Sequence, residues 1–349
     1  MSEARSQPPA VAPLRRVGAI VASNALLIGV VSLVLVFTAL NPAFLTFDNF
    51  RNISIQASVI AVVAVPTACL LISGKVDLSI GSTVALGAVT TGLLITHGVP
   101  LVPAVLGGIA SGAVIGFVNG ALVTAWELSP IIVTLGALVG VRGIALTLSP
   151  DPLFGFGSAF VSLGESDVLG IPYLALVAIA VLGVGGIVLA KMPVGRHIYA
   201  IGVNPEAAYL SGVRVRRISL LLFVATGAAA GLAGVMLAAR LGSAPSGALG
   251  VGLELDVLTA VMLGGVAFNG GRGSIVGVLL GVLFLGILQN GLTLENVPAA
   301  TAMMIKGLVL AIAAGLDRLT VVAPRSRAAR GTPPKPDSGR ASTAEAAVR

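Results

Sequence analysis

Long apolar stretches separated by short polar ones set the pattern of this chain. An α-helix rising about 1.5 Å per residue needs about 20 apolar residues to cross a hydrocarbon core of about 30 Å. Ten segments read as spans, at 18–40, 54–73, 78–96, 101–125, 130–149, 172–190, 218–239, 256–270, 274–293 and 299–316. The eighth is short, and only Asn269 to Gly273 divides it from the ninth, so nine spans is the alternative count. The first follows Arg15 and Arg16 as a signal peptide would, but its apolar run exceeds the usual 7 to 15 residues or so, and it reads as a retained span. The expected fold is an all-α polytopic membrane protein of about ten transmembrane helices. A tail at 1–17 precedes a membrane domain at 18–318, and a polar tail at 319–349 with no apolar period is expected to be disordered.

Composition sharpens this picture. Of 349 residues, 56% are hydrophobic and only 10% charged, against about 25% charged in soluble domains, which excludes a soluble globular enzyme. The 45 glycines are nearly twice the ordinary share of about 7% and lie inside the apolar runs, where small residues let helix backbones approach closely. The net charge of +7 does not point to nucleic acid, because the 11 Phe, 3 Tyr and 1 Trp form no aromatic-interleaved basic patch. Cys69 is the only cysteine and reads as a small packed residue in an apolar run.

The basic residues set the orientation. One set of loops carries Arg5, Arg15, Arg16, Lys75, Lys191, Arg196, Arg214, Arg216, Arg217, Arg272 and the basic residues from Arg318 onward. The opposite set has only Arg51 and Arg240, and it holds the acidic stretch with Asp151, Glu165 and Asp167. Both termini are therefore expected in the cytoplasm, which requires an even number of spans.

Two halves echo each other. Gly108, Gly112, Gly116 and Gly120 recur every fourth residue through the fourth span, as do Gly273, Gly277 and Gly281 at the ninth; each run would build a flat packing face. Gly116-Phe117-Val118-Asn119-Gly120-Ala121-Leu122 is echoed by Gly286-Ile287-Leu288-Gln289-Asn290-Gly291-Leu292, with one residue inserted. Val76-Asp77-Leu78 and Leu255-Asp256-Val257 give each half a short acidic start to a span. With span three starting inside and span eight outside, the halves form an inverted repeat, an architecture of transporters whose route lies between the repeats.

Catalytic chemistry is not indicated. His97 and His197 fall on opposite faces of the membrane, so no His/Cys metal cluster or Ser-His-Asp constellation is assembled. Gly74-Lys75 is followed by Val76, and Gly270-Gly271-Arg272-Gly273 lacks a following lysine and hydroxyl, so no phosphate loop is present and any ATP hydrolysis must come from a partner. Arg142 and Lys306 lie within spans, where a charge is costly and should face the bundle or a partner; Arg142 divides between a structural clamp and a gating role, and Lys306 reads as structural. Asn119 and Asn290 are candidates for a translocation route through their amides, or for interhelical hydrogen bonds. Asp77 reads as the cap of span three.

The loop at 191–217 is the most informative hydrophilic stretch. Asn204 suits an N-cap, Pro205 the first helical position, Glu206 the first turn and Gly212 a left-handed stop. They enclose Ala207, Ala208 and Ser211 in a helix of about two turns, too short to stand alone. It is either a surface helix packed on its own bundle or a helix held by another protein.

Glu206-Ala207-Ala208 followed by Gly212 resembles the EAA-type coupling loop of ATP-binding-cassette importer permeases. More specifically, Gly74-Lys75-Val76-Asp77-Leu78-Ser79-Ile80-Gly81-Ser82, Pro130-Ile131-Ile132-Val133-Thr134-Leu135-Gly136, Gly195-Arg196-His197-Ile198-Tyr199-Ala200-Ile201-Gly202 and Leu263-Gly264-Gly265 through Gly270-Gly271-Arg272-Gly273-Ser274 are similar to the ribose/galactose/xylose-type sugar permeases, from about residue 45 to 318 and in the family's order. Lys75 stands where that family often has a second glycine, and Ile131 where an aromatic is frequent. The resemblance implies a permease that moves a small sugar across the cytoplasmic membrane by alternating access, paired with a second copy or a related permease. It further implies two ATPase subunits inside, which carry the ATP and Mg²⁺, and an extracytoplasmic sugar-binding protein outside, for which Asp151 to Asp167 is a docking candidate. The rival is a self-sufficient secondary transporter driven by an ion gradient; it expects acidic ligands mid-span, and no carboxylate falls there in this reading.

Overall fold

The helix Phe47–Ile72 sits at the centre of the molecule: 83% of its most apolar window is buried against other helices, compared with 17% for Pro130–Leu148 at the periphery. The computed structural model describes residues 25–328, so the 1–17 tail and all but the first part of the 319–349 tail lie outside the described residues. In chain order the helices are α1 (Ala25–Leu40), α2 (Phe47–Ile72), α3 (Ile80–Thr96), α4 (Leu101–Thr124), α5 (Pro130–Leu148), α6 (Ser158–Glu165), α7 (Tyr173–Lys191), α8 (Pro193–Val203), α9 (Pro205–Leu210), α10 (Val215–Leu241), α11 (Leu253–Leu263), α12 (Ile275–Leu294) and α13 (Ala299–Ala328). A hairpin of β1 (Asp167–Val168) and β2 (Ile171–Pro172), Asp167 opposite Pro172, joins α6 to α7.

Each of the ten apolar segments contains a helix. Among the described residues six helices, α2, α4, α5, α7, α10 and α12, are long and apolar enough to cross a membrane, and Leu26–Leu40, Ile80–Thr96 and Ala299–Gly315 are shorter apolar helices. The eighth segment differs from the expected 256–270. Its helix α11 is 11 residues long, about 16 Å at 1.5 Å per residue and half a hydrocarbon core. Residues 264–274 turn back instead, with Gly265, Gly270 and Gly271 at positive φ. The last helix continues to Ala328, past the expected boundary at 318.

Helix α2 lies against α11 and α12, α10 lies against α3 and α4, and α2 and α10 also touch each other. Thus α2 and α10 are each covered by helices distant from them in the chain.

Glycines make close helix crossings. A Cβ on Gly112 of α4 would run into the Gly227 carbonyl of α10, and one on Gly227 would run into the Gly112 carbonyl. Gly108 lies against Thr91 and the Gly87 backbone of α3, while Gly116 and Gly120 lie against Phe223 and Leu220 of α10. In the second half Gly277 abuts Gly264, and Gly281 abuts Ala260. Gly273 departs from its expected place in this run. It precedes the α12 N-cap Ser274, whose hydroxyl accepts the Gly277 N–H at 3.1 Å, and it packs in the loop against Ile72 and Val266.

Two helices and a loop are joined at one end of the bundle. The Gly271 N–H donates to the Ile72 carbonyl at 2.8 Å, and the Tyr199 hydroxyl of α8 donates to the Gly273 carbonyl at 2.8 Å. This α9 end gathers Lys75 and Arg272 in its loops, Arg196 on α8, and Arg214, Arg216 and Arg217 at the start of α10. At the opposite end Arg51 pairs with Asp167 at 3.8 Å and donates to the Glu165 carbonyl.

Candidate functional site

Two features are candidates for the site, a short capped helix at one end and a broken helix inside the bundle. The first is α9. The Asn204 side chain accepts the N–H groups of Glu206 and Ala207, both at 3.0 Å, and Pro205 occupies the first position, where no N–H is needed. The Ser211 hydroxyl donates to the Ala207 carbonyl at 2.8 Å, and Gly212 takes φ +85° to end the turn. Six residues cannot hold a helix alone. Ala208 is buried, and α9 rests on α8, itself anchored by fully buried Ile198 and Ile201.

Helix α8 and the outward face of α9 escape the sequence reading. The loop at 191–217 is largely helical, and the signal for α8 was the pair Ile198 and Ile201, one turn apart behind Pro193. Tyr209 and Leu210 are 70% and 79% exposed, so α9 presents an apolar edge beside the Glu206 carboxylate. A groove of about 1060 Å³ runs between α9, the end of α4 and the start of α10.

The second feature is the stretch Gly242 to Gly252 that precedes α11. It leaves the end of α10, pairs Ala244 with Leu153, and passes the Ser149 carbonyl, which accepts from the Ser246 hydroxyl at 2.6 Å. Arg142 Nη1 then donates to the carbonyls of Ser246 and Leu249, both at 2.7 Å, and Gly250 at φ +73° lies against the backbone of Gly81. Arg142 lies nearly two turns inside the end of α5, so this irregular backbone runs within the bundle, where protein contacts satisfy its polar groups. Arg142 therefore stands as a carbonyl clamp.

The break also moves two carboxylates. Glu254 and Asp256 occupy the first turn of α11, inside the bundle, where the sequence reading had Asp256 only at the start of a span. Asp256 pairs with Lys306 at 2.8 Å, and Glu254 lies within electrostatic reach of Arg142. Helices interrupted at depth are a recurrent way for transporters to expose polar groups to a solute.

The other candidates are not brought together. Asn119 donates to the Ser79 hydroxyl at 2.9 Å near the α9 end. Asn290 donates to Asn49 at 2.8 Å near the opposite end, and its own amide oxygen has no partner. Asp77 is not the cap of α3: Ser79 is the N-cap residue, and Asp77 instead accepts the Ser79 N–H at 2.8 Å and its hydroxyl at 2.6 Å, because the chain makes one more turn before the helix begins.

With this geometry in view, the comparisons are specific. Residues 49–314 match the family described as branched-chain amino acid transport system / permease component. The ribose import permease protein RbsC of Bacillus subtilis is 38% identical over 294 residues, covering 83% of this chain and 91% of the relative. The L-arabinose ABC transporter permease protein AraH of Azospirillum brasilense is 39% identical over 278 residues, 79% of this chain and 82% of the relative. The D-allose transport system permease protein AlsC of Escherichia coli is 36% identical over 290 residues, 82% of this chain and 89% of the relative. No solved structure matches. With α3 to α12, including the short capped helix, all inside the matched span, the chain belongs to the branched-chain amino acid transport system permease family of membrane proteins.

Proposed function

We propose that this chain is the membrane subunit of an ATP-binding-cassette importer that carries a small neutral sugar of the ribose, xylose or galactose kind into the cytoplasm. Ten helices embedded as two inverted halves would form it, with the α9 end and both termini facing the cytoplasm. What supports the sugar is the set of relatives, whose names specify ribose, L-arabinose and D-allose. What supports the orientation is the gathering of basic loops at the α9 end, the side that positive charge favours.

The single observation that carries the mechanism is α9, a capped two-turn helix with Glu206, Tyr209 and Leu210 presented outward and its base held by α8. An ATPase subunit, supplying ATP and Mg²⁺, docks there and moves α9 and α8. The joined loops carry that motion to α11, and the broken segment from Gly242 to Gly252 rearranges to open the route alternately to each side. A sugar-binding protein delivers the solute at the opposite end, next to α6 and the hairpin, and a second permease subunit completes the membrane part.

The experiment is gentle solubilisation from native membranes, affinity capture and mass spectrometry, repeated with Glu206→Lys. The wild-type chain should recover a phosphate-loop ATPase, and the variant should lose it or its sugar-stimulated activity while remaining monodisperse. Normal stimulation in Glu206→Lys would overturn the docking assignment. Capture of the chain alone, with uptake abolished by an uncoupler at normal ATP, would favour a gradient-driven carrier.

A further inference from the structure

The groove beside α9 holds two polar groups that the mechanism leaves unused. Lys75, in the turn after α2, lines it partly buried, and no ion pair or hydrogen bond joins its ammonium to any described residue. Burial lowers its pKa, the mark of a cation short of a counter-charge. Ser219 also lines the groove; it is fully buried, and its hydroxyl has no partner.

That is unusual for this chain. Buried hydroxyls here satisfy themselves on the carbonyl one turn back: Thr226 of the same helix bonds Leu222 at 2.9 Å, and Thr124 across the groove bonds Gly120 at 2.7 Å. Ser219, with Thr67, is an exception among the described residues. A donor held in a groove without an acceptor is the complement of an incoming oxygen.

The charges around it have one sign in excess. Arg214, Arg216 and Arg217 crowd the first turn of α10, the positive end of a 27-residue helix, where cations are disfavoured and an anion is favoured. Of these, Arg216 is engaged by Glu127 at 2.5 Å, across the mouth of the groove.

Depth identifies the anion. Trp126, the chain's one tryptophan, follows the end of α4 at 72% exposure, and such residues collect at the membrane–water boundary. The groove therefore opens at headgroup level, and basic pockets between helices on the cytoplasmic side suit anionic lipid headgroups.

We propose that this groove binds the phosphate of an anionic phospholipid, with Lys75 and Ser219 donating to phosphate oxygens and Arg214 and Arg217 completing the charge. Pro205, Glu206 and Tyr209 form another wall of the same groove, so a seated headgroup braces α9 and tunes its coupling. The proposal rests on the membrane orientation given above, but its binding step needs neither sugar nor ATPase.

The test uses the full chain alone in phosphatidylcholine nanodiscs doped with phosphatidylglycerol, with retained lipid read by native mass spectrometry. Wild type should retain phosphatidylglycerol through delipidation, Lys75→Met should weaken retention by about fivefold, Ser219→Ala should weaken it less, and Lys75→Arg should restore it. Arg51→Gln, at the opposite end, should leave retention unchanged. Equal retention by wild type and Lys75→Met would overturn the site. Displacement of the lipid by millimolar inorganic phosphate would reassign it to a soluble anion. Loss of ATPase capture by Lys75→Met in pure phosphatidylcholine, with lipid retention intact, would make the groove a protein contact and end the lipid proposal. Because the readout is on the isolated chain, failure here is distinct from failure of the Glu206→Lys test.

Discussion

Lys306 and Asp256 meet at 2.8 Å and tie the last apolar helix to the first turn of the half-length α11. Each is about three-quarters buried, so neither is a solvated surface charge nor a fully dry one. Removing one partner should cost about 2 kcal/mol, between the worth of an exposed pair and the penalty for a stranded buried ion. Asp256→Asn and Lys306→Met should each lower the unfolding midpoint in nanodiscs, and the double variant should recover most of the loss. Additive losses would show that the two do not act as a pair.

The crossing of α4 and α10 leaves no room for a side chain. Gly112→Val should destabilise the bundle by about 1–3 kcal/mol or prevent assembly, since the Gly227 backbone cannot yield as a side chain end would. Gly136 of α5 faces open space, so Gly136→Ala should be tolerated. Yield and monodispersity of the two variants side by side give the comparison.

The cap of α9 is separable from its charge. Asn204→Ala removes the acceptor of two N–H groups and should cost about 1 kcal/mol locally, while Asn204→Ser keeps most of it. Amide exchange over 204–212 should quicken in the alanine variant, and coupled ATPase activity should fall with it. Unchanged exchange would mean that α8 alone holds the helix.

Asp77 gives the chain a pH dependence. Burial raises its pKa, against the two hydrogen bonds from Ser79, which lower it. As pH climbs from the unfolded value of about 3.9 through the raised folded value, the unfolded chain releases its proton first, so stability falls across that window. Asp77→Asn keeps an acceptor for Ser79 and should flatten the fall. Thermal unfolding scans from about pH 4 to pH 7 on both proteins measure it.

Orientation can be read with cysteines. Cys69 is buried and should stay silent to membrane-impermeant thiol reagents. Ser162→Cys, exposed on α6, should label from outside the cell, and Ser211→Cys, exposed beside α9, only after the membrane is opened. The reverse pattern would invert the proposed topology.

Much of this architecture was legible in the chain because its signals are local. Asn204, Pro205, Glu206 and Gly212 spell a short helix with both caps, and the four-residue spacing from Gly108 to Gly120 marks a packing face whatever it packs against. The short extent of α11 was not legible. Val257 to Phe268 is apolar apart from Thr259, and apolarity cannot register where a helix stops; the turn at Gly265 depends on a positive φ that composition does not reveal. Gly273 fitted the spacing of its run, yet Ser274 is a better helix start, and the cap overrode the period. Glu254 and Asp256 looked peripheral only because the irregular residues before them were counted as loop.

The hydrogen bonds at the α9 end have a mechanical meaning. Tyr199 hangs on the carbonyl of Gly273, and Gly271 hangs on Ile72, so α8, the foot of α2 and the turn below α11 are cross-linked to one another. A displacement of α8 must therefore either draw the other two with it or break a hydrogen bond.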